Sequence, residues 1–165
     1  MPGKQRQRRR ITFAHVSPLL DDVNVRLLRE LQLDPRLTMS ALARRVRMSA
    51  PAITERVRRL EEGGVITGYR VNVDPKALGL PLAAYVRIRP TPGQLANVVE
   101  LARRTPEVVE CHRITGEDCF LLKLHVAEVD QIEEILDRFL ILGQTTTSIV
   151  QSSPVPLRPL PLPTG

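Results

Sequence analysis

The side chains with the clearest chemistry in this sequence are arginines concentrated in residues 38–69, TMSALARRVRMSAPAITERVRRLEEGGVITGY. A guanidinium group is always charged, and its planar fork matches the oxygen atoms of a phosphate. A cluster of such groups along short helices therefore predicts contacts to the backbone of a nucleic acid. The candidates for phosphate contacts are Arg44, Arg45, Arg47, Arg56 and Arg59.

Two short helices joined by a tight turn would position these arginines. The first is predicted to run from Thr38, its N-cap, to Val46, and the second from Ser49 to residue 62. Pro51 falls in the first turn of the second helix, where no backbone N–H is required. Gly63-Gly64 supplies the stop. This layout is typical of a helix-turn-helix, which places its second helix in the major groove of DNA.

A further helix precedes this pair, and an extended segment follows it. Residues 21–33 carry apolar side chains at mostly helical spacing, and Asp21 or Asp22 can cap the start. Asp34-Pro35 ends this helix, because proline disfavours helical geometry in the residue before it. Residues 65–73 are predicted to be extended.

The second helix of the pair has a buried side and an open side. Its buried stripe at i, i+4 and i+7 consists of Ile53, Val57 and Leu60. On the open side, Pro51 and Thr54 could meet thymine methyl groups and Arg58 could reach guanine or phosphate. The alternative is a face that is merely solvated. The predicted DNA-contacting set is Thr38, Arg44, Arg45, Arg47, Ser49, Ala50, Pro51, Thr54, Arg56, Arg58 and Arg59.

The charge of the 165-residue chain is unevenly distributed. Residues 1–74 hold 15 Lys and Arg against 8 Asp and Glu, a net +7, whereas residues 75–165 hold 9 against 10, a net −1. A basic half joined to a near-neutral half indicates a polyanion-binding module joined to something else. Residues 1–16 are predicted to be a disordered basic arm, either a phosphate or minor-groove contact or a solvated tail.

The second half alternates strands and helices. The predicted order is a strand over 81–90, a helix over 93–105, strands over 108–115 and 119–126, a helix over 129–142 and a strand over 145–152. This β-α-β-β-α-β order is the ferredoxin-like arrangement, so the fold class is α+β. Helices on one face of an antiparallel sheet leave its other face uncovered, which favours a homodimer.

The turn Gly116-Glu117-Asp118 joins two predicted strands and offers two acids to a small ligand. A ligand that carries both an ammonium group and a carboxylate needs acceptors for the ammonium group and donors for the carboxylate. Glu117 or Asp118 could supply the first, and backbone N–H groups with the hydroxyls of residues 145–148 the second. The alternative is a plain hairpin turn beside a β-forming threonine run. The predicted effector site consists of Gly116, Glu117, Asp118, Cys119, Thr146, Thr147 and Ser148.

The C-terminal segment of the chain is rich in proline. Residues 153–165 hold five prolines and are predicted to be extended or polyproline-like. Partner docking is one interpretation of this tail, and a plain flexible tail is the favoured one.

The cysteines and the hydropathy of the chain indicate its cellular compartment. Cys111 and Cys119 form no disulfide framework or zinc pattern, which favours a reducing cytosol. No apolar run approaches the roughly 20 residues of a membrane span, so a cytoplasmic location is expected.

The chain resembles the leucine- and asparagine-responsive (Lrp/AsnC, "feast/famine") transcriptional regulators over residues 20–152. The matching stretches are LDDVNVRLLRELQLDPR (20–36), LARRVRMSAPAITERVRRLEEGGVITGY (42–69), VDPKALGLPL (73–82), PEVVECHRITGEDCFLLKLHV (106–126) and TTTSIV (145–150). Two separate sets of motifs thus occur in the family's order and spacing.

The resemblance implies a winged helix-turn-helix over 17–72, a linker over 73–82 and a ferredoxin-like RAM-type domain over 83–152. It also implies a small effector, usually an amino acid, bound between subunits beside the 116–118 turn and the last strand. Homodimers that build into octamers are the implied assembly, with double-stranded DNA as partner. The chain departs from the family at Asn24 and Cys119, where Asp is common, and at Arg47, where Gly is usual.

Two other functions compete with a DNA-binding regulator. A sirohaem-decarboxylase-like enzyme could use the same two-part scaffold, and an absorption band with sirohaem would reveal it. A purely structural assembly protein would show no specific gel shift. The sequence has no catalytic constellation, cofactor motif or metal-ligand spacing, so a non-enzymatic protein is expected. His112 and His125 are predicted to be hydrogen-bonded histidines of adjacent strands.

Overall fold

A computed structural model describes residues 16–163 of the chain. The predicted basic arm lies outside the described residues except for Val16. The described residues divide into two compact units, one formed by residues 16–70 with 157–163 and the other by residues 71–156. Each unit has its own cluster of buried apolar side chains. Among the described residues, no helix is long and apolar enough to cross a membrane.

Three helices form the first unit, close to the predicted bounds. They are α1 (Asp22–Leu33), α2 (Met39–Val46) and α3 (Ala50–Glu62). The predicted caps are confirmed: side-chain oxygens of Asp21, Thr38 and Ser49 accept hydrogen bonds from backbone N–H groups of the first turns. Such caps satisfy donors that a helix start leaves unpaired. The residues after α3 form no strand up to Asp74.

The core of the first unit forms where the apolar faces of α1, α2 and α3 pack together. The predicted stripe of α3 is confirmed, since Ile53, Val57 and Leu60 are buried. Leu33, in contrast, is 75% exposed because it lies on the far side of α1. Burial of aliphatic groups in the three faces holds the helices together. The buried aliphatic and alanine side chains of this cluster are Leu27, Leu28, Leu31, Leu42, Ala43, Val46, Ile53, Val57 and Leu60.

The second unit is a four-stranded antiparallel sheet with two helices. A short 3-10 helix (Pro75–Leu78) precedes β1 (Leu82–Pro90), α4 (Leu95–Arg104), β2 (Val108–Arg113), β3 (Phe120–Val126), α5 (Val129–Leu140) and β4 (Gly143–Ile149). The strand order is β2-β3-β1-β4, and all three pairings are antiparallel. The predicted α+β class and ferredoxin-like order are confirmed.

The last strand begins two residues earlier and ends three residues sooner than predicted. Gly143 pairs with Pro90, and the two backbones approach closely there. A β-carbon at residue 143 would lie 2.6 Å from the Pro90 Cα. The first strand position of β4 therefore requires glycine, which a pattern based on β-branched residues does not detect.

The proline-rich tail belongs to the first unit by its contacts. Leu162 packs against the core cluster of α1, α2 and α3. The Gln32 side-chain amide donates a hydrogen bond of 3.1 Å to the carbonyl oxygen of Leu160. The segment has no helix or strand, as predicted, but it is not the plain free tail that composition favoured.

Candidate nucleic-acid interface and effector site

The open face of α3 carries the residues predicted to read DNA bases. Pro51, Thr54 and Arg58 are exposed, whereas Ala50 is half-buried. The Thr54 hydroxyl donates to the Ala50 carbonyl oxygen at 2.9 Å, so its methyl group points away from that bond. These side chains share one side of α3, opposite the buried stripe. The face therefore combines small apolar groups near its start with a cation further along.

Three charged side chains of α3 form a connected group on the same helix. Glu55 accepts hydrogen bonds from Arg58 at 2.8 and 2.9 Å and from Arg59 at 2.8 Å. These bonds, Arg58 first, lower the pKa of Glu55 to about 2, so this carboxylate is ionised in neutral solution. Arg58 also pairs with Glu62. Both arginines are held by carboxylates and present pre-oriented guanidinium groups to the solvent.

Arg56 has a different environment from Arg58 and Arg59. It donates to Asp21 at 2.7 Å and to the Asn24 side-chain oxygen at 3.0 Å, linking α3 to the start of α1. Burial raises the pKa of Asp21, but the bonds from Arg56 and the Asn24 N–H outweigh it and leave a lowered pKa. Arg56 is thus engaged in positioning the two helices, and a DNA contact by it stays a prediction.

Asn24, the departure from the family pattern in α1, is buried, and both ends of its side-chain amide are hydrogen-bonded. Its side-chain N–H donates to the Leu19 carbonyl oxygen at 2.7 Å, while its oxygen accepts from Arg56. An aspartate could accept from Arg56 but could not donate to Leu19. The amide therefore fits this site better than the family's common carboxylate.

The turn between α2 and α3 has the conformation expected for glycine. Arg47 adopts φ 59° and ψ 50°, the left-handed region, and its N–H bonds to the Arg44 carbonyl oxygen at 3.3 Å. Arg44 and Arg47 are exposed, as is Arg45, which pairs with Glu30 of α1 at 2.9 Å. The side chains of Thr38 and Ser49 serve as N-caps, so their oxygens already accept one bond each.

In the second unit, the acids of the 116–118 turn meet two arginines of β1. Asp118 lies 3.6 Å from the Arg87 guanidinium and 3.7 Å from that of Arg89. Arg89 also pairs with Glu117. Two cations and two carboxylates thus form one group at the end of the sheet. Such a group offers an acceptor and a donor of opposite charge within a short distance.

The predicted hydroxyls of β4 divide between the two faces of the sheet. Thr146 pairs with Arg87 and Ser148 with Tyr85, so these two hydroxyls share the face that carries the arginines. Thr147 pairs with the buried Val86 and lies on the helix-covered face. The structure therefore brings Thr146 and Ser148 to the arginine face and leaves Thr147 on the other side.

Arg87 and Arg89 were missed by the prediction from sequence. The signal for them was present, because residues two apart in a strand share a face. The segment YVRIRP alternates in this way, with Val86 and Ile88 buried and both arginines exposed. Their proximity to the 116–118 turn depends on the pairing of β1 with β3, which is a tertiary feature.

The other residues of this unit with a prediction from sequence are Cys119 and two histidines. Cys119 packs against the core cluster, and its N–H donates to the Ile88 carbonyl oxygen at 2.9 Å. His112 contacts Glu110 at 3.2 Å, whereas the Nδ1 atom of His125 is buried without a hydrogen-bond partner. The predicted hydrogen bonding is therefore missing at this ring nitrogen of His125. In the described part of the chain, no group of three or more His, Cys, Asp or Glu is placed to hold a metal.

Comparison with protein-family models assigns both units. Residues 20–67 match the winged helix-turn-helix DNA-binding model, and residues 83–160 match the Lrp/AsnC ligand binding domain. The order of the two matches follows the order of the two units along the chain.

Three regulators illustrate the similarity. The transcriptional regulator LrpC of Bacillus subtilis is 32% identical over 81% of this chain and 92% of its own length, and its structure superimposes with a TM-score of 0.77. LrpA of Mycobacterium tuberculosis is 39% identical over 72% of this chain and 80% of its own. A Neisseria meningitidis transcriptional regulator solved in complex with L-Met covers 86% of this chain and 96% of its own at 25% identity, with a TM-score of 0.79.

Proposed function

The chain belongs to the Lrp/AsnC family of transcriptional regulators, and from that membership we propose how it reads DNA and senses an effector. The observation that carries the proposal is the open face of α3, where exposed Pro51, Thr54 and Arg58 follow a capped helix start. Residues at the start of a recognition helix reach base edges in the major groove.

Phosphate contacts would come from the arginines around this face. Arg44 and Arg47 are exposed beside the turn, and Arg58 and Arg59 are oriented by Glu55. On binding, phosphate oxygens replace or join the carboxylate as acceptors for these guanidinium groups. The affinity for DNA then falls as the salt concentration rises, because each neutralised phosphate releases condensed counterions.

Neutralising the α3 arginines tests this interface. In Arg58→Gln/Arg59→Gln, we expect at least a tenfold loss of affinity for upstream DNA of its own gene, and a salt dependence shallower by roughly two in log–log slope. Gel shift or fluorescence anisotropy at several salt concentrations measures both. Arg103→Gln, an exposed arginine of α4 paired with Glu100, is the matched control. Unchanged binding in the double variant would remove α3 from the interface.

For the effector, we propose an amino acid bound beside the 116–118 turn. Asp118 would accept from its ammonium group, and Arg87 or Arg89 would donate to its carboxylate with help from Thr146 and Ser148. The charged group described above supports this assignment, since it holds both signs of charge on one face of the sheet. The L-Met complex of the similar Neisseria regulator supports the ligand class.

A thermal-shift screen of the twenty amino acids tests the effector site. A ligand present at 100 times its Kd stabilises the folded protein against unfolding by about 2.7 kcal/mol, which raises the Tm measurably. Asp118→Asn should abolish the shift, because it removes the charge that pairs with the ammonium group. Asp137→Asn on the exposed side of α5 is the control. A shift that survives in Asp118→Asn would place the ligand elsewhere.

Regulation would follow from a change of assembly. We propose a homodimer, built into higher oligomers such as an octamer, in which the effector binds at a subunit interface. The effector then favours one assembly by its differential affinity for it, and the spacing of the recognition helices along DNA changes accordingly. The cytoplasm is the proposed compartment for this regulator.

A further inference from the structure

The C-terminal segment Leu157–Pro163 makes two unlike contacts with the first unit. Leu162 is partly buried against the core cluster, whereas Leu157 and Leu160 are 86% and 80% exposed. The carbonyl oxygen of Leu160 accepts the hydrogen bond from Gln32 of α1, 128 residues away in sequence. One leucine out of three is therefore an anchor, and the backbone supplies a second point of attachment.

The composition of this segment suits docking as an extended ligand. From residue 159 onward, LRPLPLP has proline at every second position, which favours polyproline II geometry with three residues per turn. In that geometry Leu157 and Leu160 share one side, consistent with their common exposure, and Leu162 lies on another. Proline fixes φ before docking, so little conformational entropy is lost, and unpaired carbonyl oxygens remain available to donors such as Gln32.

The tail docks at the segment through which the chain leaves the first unit. A cavity of about 570 Å³ is lined by Gln32, by Thr67, Gly68 and Arg70, and by Pro159 and Leu160 of the tail. Gly68 has φ 149°, a conformation that other residues rarely adopt. Around it, residues 67–74 form no helix or strand, so little local structure restrains them.

We infer that Leu157–Pro163 is an intramolecular strap, anchored by Leu162 and Gln32, that holds the exit segment 65–70 of its own chain against α1. The hydrogen bond and the cavity at which the strap docks involve none of the residues proposed to contact DNA. The strap acts on the DNA-binding unit by restraining the exit segment around Gly68. The inference does not depend on the proposed DNA or effector contacts.

Hydrogen exchange of the full-length protein, without DNA or effector, tests the strap. Leu162→Asp should speed exchange roughly tenfold in residues 28–33 and at Val65 and Ile66, whose N–H groups donate to the Leu60 carbonyl oxygen, since burial of a leucine side chain is worth about that factor. Leu157→Asp places the same charge on the exposed side of the tail, and its exchange rates should equal those of the natural chain. Exchange in α3, a helix of the same unit, serves as an internal reference for the folding of that unit. Equal exchange rates in the two variants would overturn the proposal that Leu162 anchors the strap.

Cross-linking decides whether the strap is intramolecular. In a Cys111→Ser/Cys119→Ser background, the pair Thr67→Cys and Leu160→Cys, which line the same cavity and leave both anchors in place, is treated with a short bis-maleimide. The expected product runs as a compact monomer on a denaturing gel. A covalent dimer would show that the tail docks on another copy, and absence of any cross-link would show that it does not dock; either result overturns the proposal. Thr67→Cys with Leu157→Cys is the control for random reaction.

Discussion

At the scale of single residues, Arg47 shows how a departure from the family pattern is accommodated. Its left-handed backbone costs about 1–2 kcal/mol for a residue with a β-carbon. Its N–H nonetheless pairs with the Arg44 carbonyl oxygen, and the Met48 N–H bonds to Ala43 at 2.9 Å. The turn keeps its hydrogen bonds, and the guanidinium group is exposed, as the proposed phosphate contact requires.

Replacing this arginine with glycine separates stability from DNA affinity. Arg47→Gly relieves the left-handed strain but adds about 0.5–1 kcal/mol of unfolded-state entropy, so we expect a net gain of about 0.5–1 kcal/mol. Urea denaturation measures it, and DNA affinity should fall at the same time. Arg44→Gly, inside α2, should instead cost about 1 kcal/mol. A destabilised Arg47→Gly would contradict the strain argument.

At the scale of secondary-structure elements, β4 depends on one position where two backbones meet. Gly143 is buried and pairs with Pro90 at the end of β1, while the residues after it carry the proposed effector hydroxyls. The register of β4 against β1 decides which of its side chains lie on the arginine face. A shift of one residue would exchange Thr146 for Thr147 on that face.

A methyl group at residue 143 should disturb this pairing. In Gly143→Ala, the new β-carbon would collide with the backbone of Arg89 and Pro90, and overpacking of this kind typically costs about 1–3 kcal/mol. Chemical denaturation measures the loss. Gln144→Ala, at the exposed neighbouring position, should change stability by less than about 0.5 kcal/mol. Equal stability of the two variants would show that the backbones can separate without cost.

At the scale of the whole molecule, the chain forms two units with separate hydrophobic cores. Every buried residue of one cluster comes from residues 27–60, and every buried residue of the other from residues 84–139. A compact unit with its own core can in principle fold alone. Charge follows the same division, with the arginine-rich stretch in the first unit and the mixed charged group in the second.

Calorimetry of the full chain should therefore resolve two unfolding transitions. The amino acid found by the screen should raise the temperature of only one of them, because mass action stabilises the unit that binds. Gly143→Ala should lower that same transition, which identifies it as the unfolding of residues 71–156. A single transition, shifted as a whole by the ligand, would indicate that the two cores unfold together.

The sequence by itself determined the helices, their caps and the class of both units. Side-chain periodicity, the N-caps Asp21, Thr38 and Ser49, and the glycine and proline stops are local, and local signals act through neighbours in the chain. The left-handed turn at Arg47 was indicated only by the family resemblance, in which glycine is usual at this position. The predicted DNA-contacting and effector sets remain hypotheses for the experiments above.

Only the tertiary structure decided which of these side chains meet. The pairing of β1 with β3 and β4 brought Arg87 and Arg89 to the acids of the 116–118 turn and placed Thr147 on the opposite face. Helix packing brought Arg56 of α3 onto Asp21 and Asn24, and brought Leu162 of the tail onto a core more than a hundred residues away. Contacts between distant segments depend on strand register and helix packing, and no local pattern encodes either.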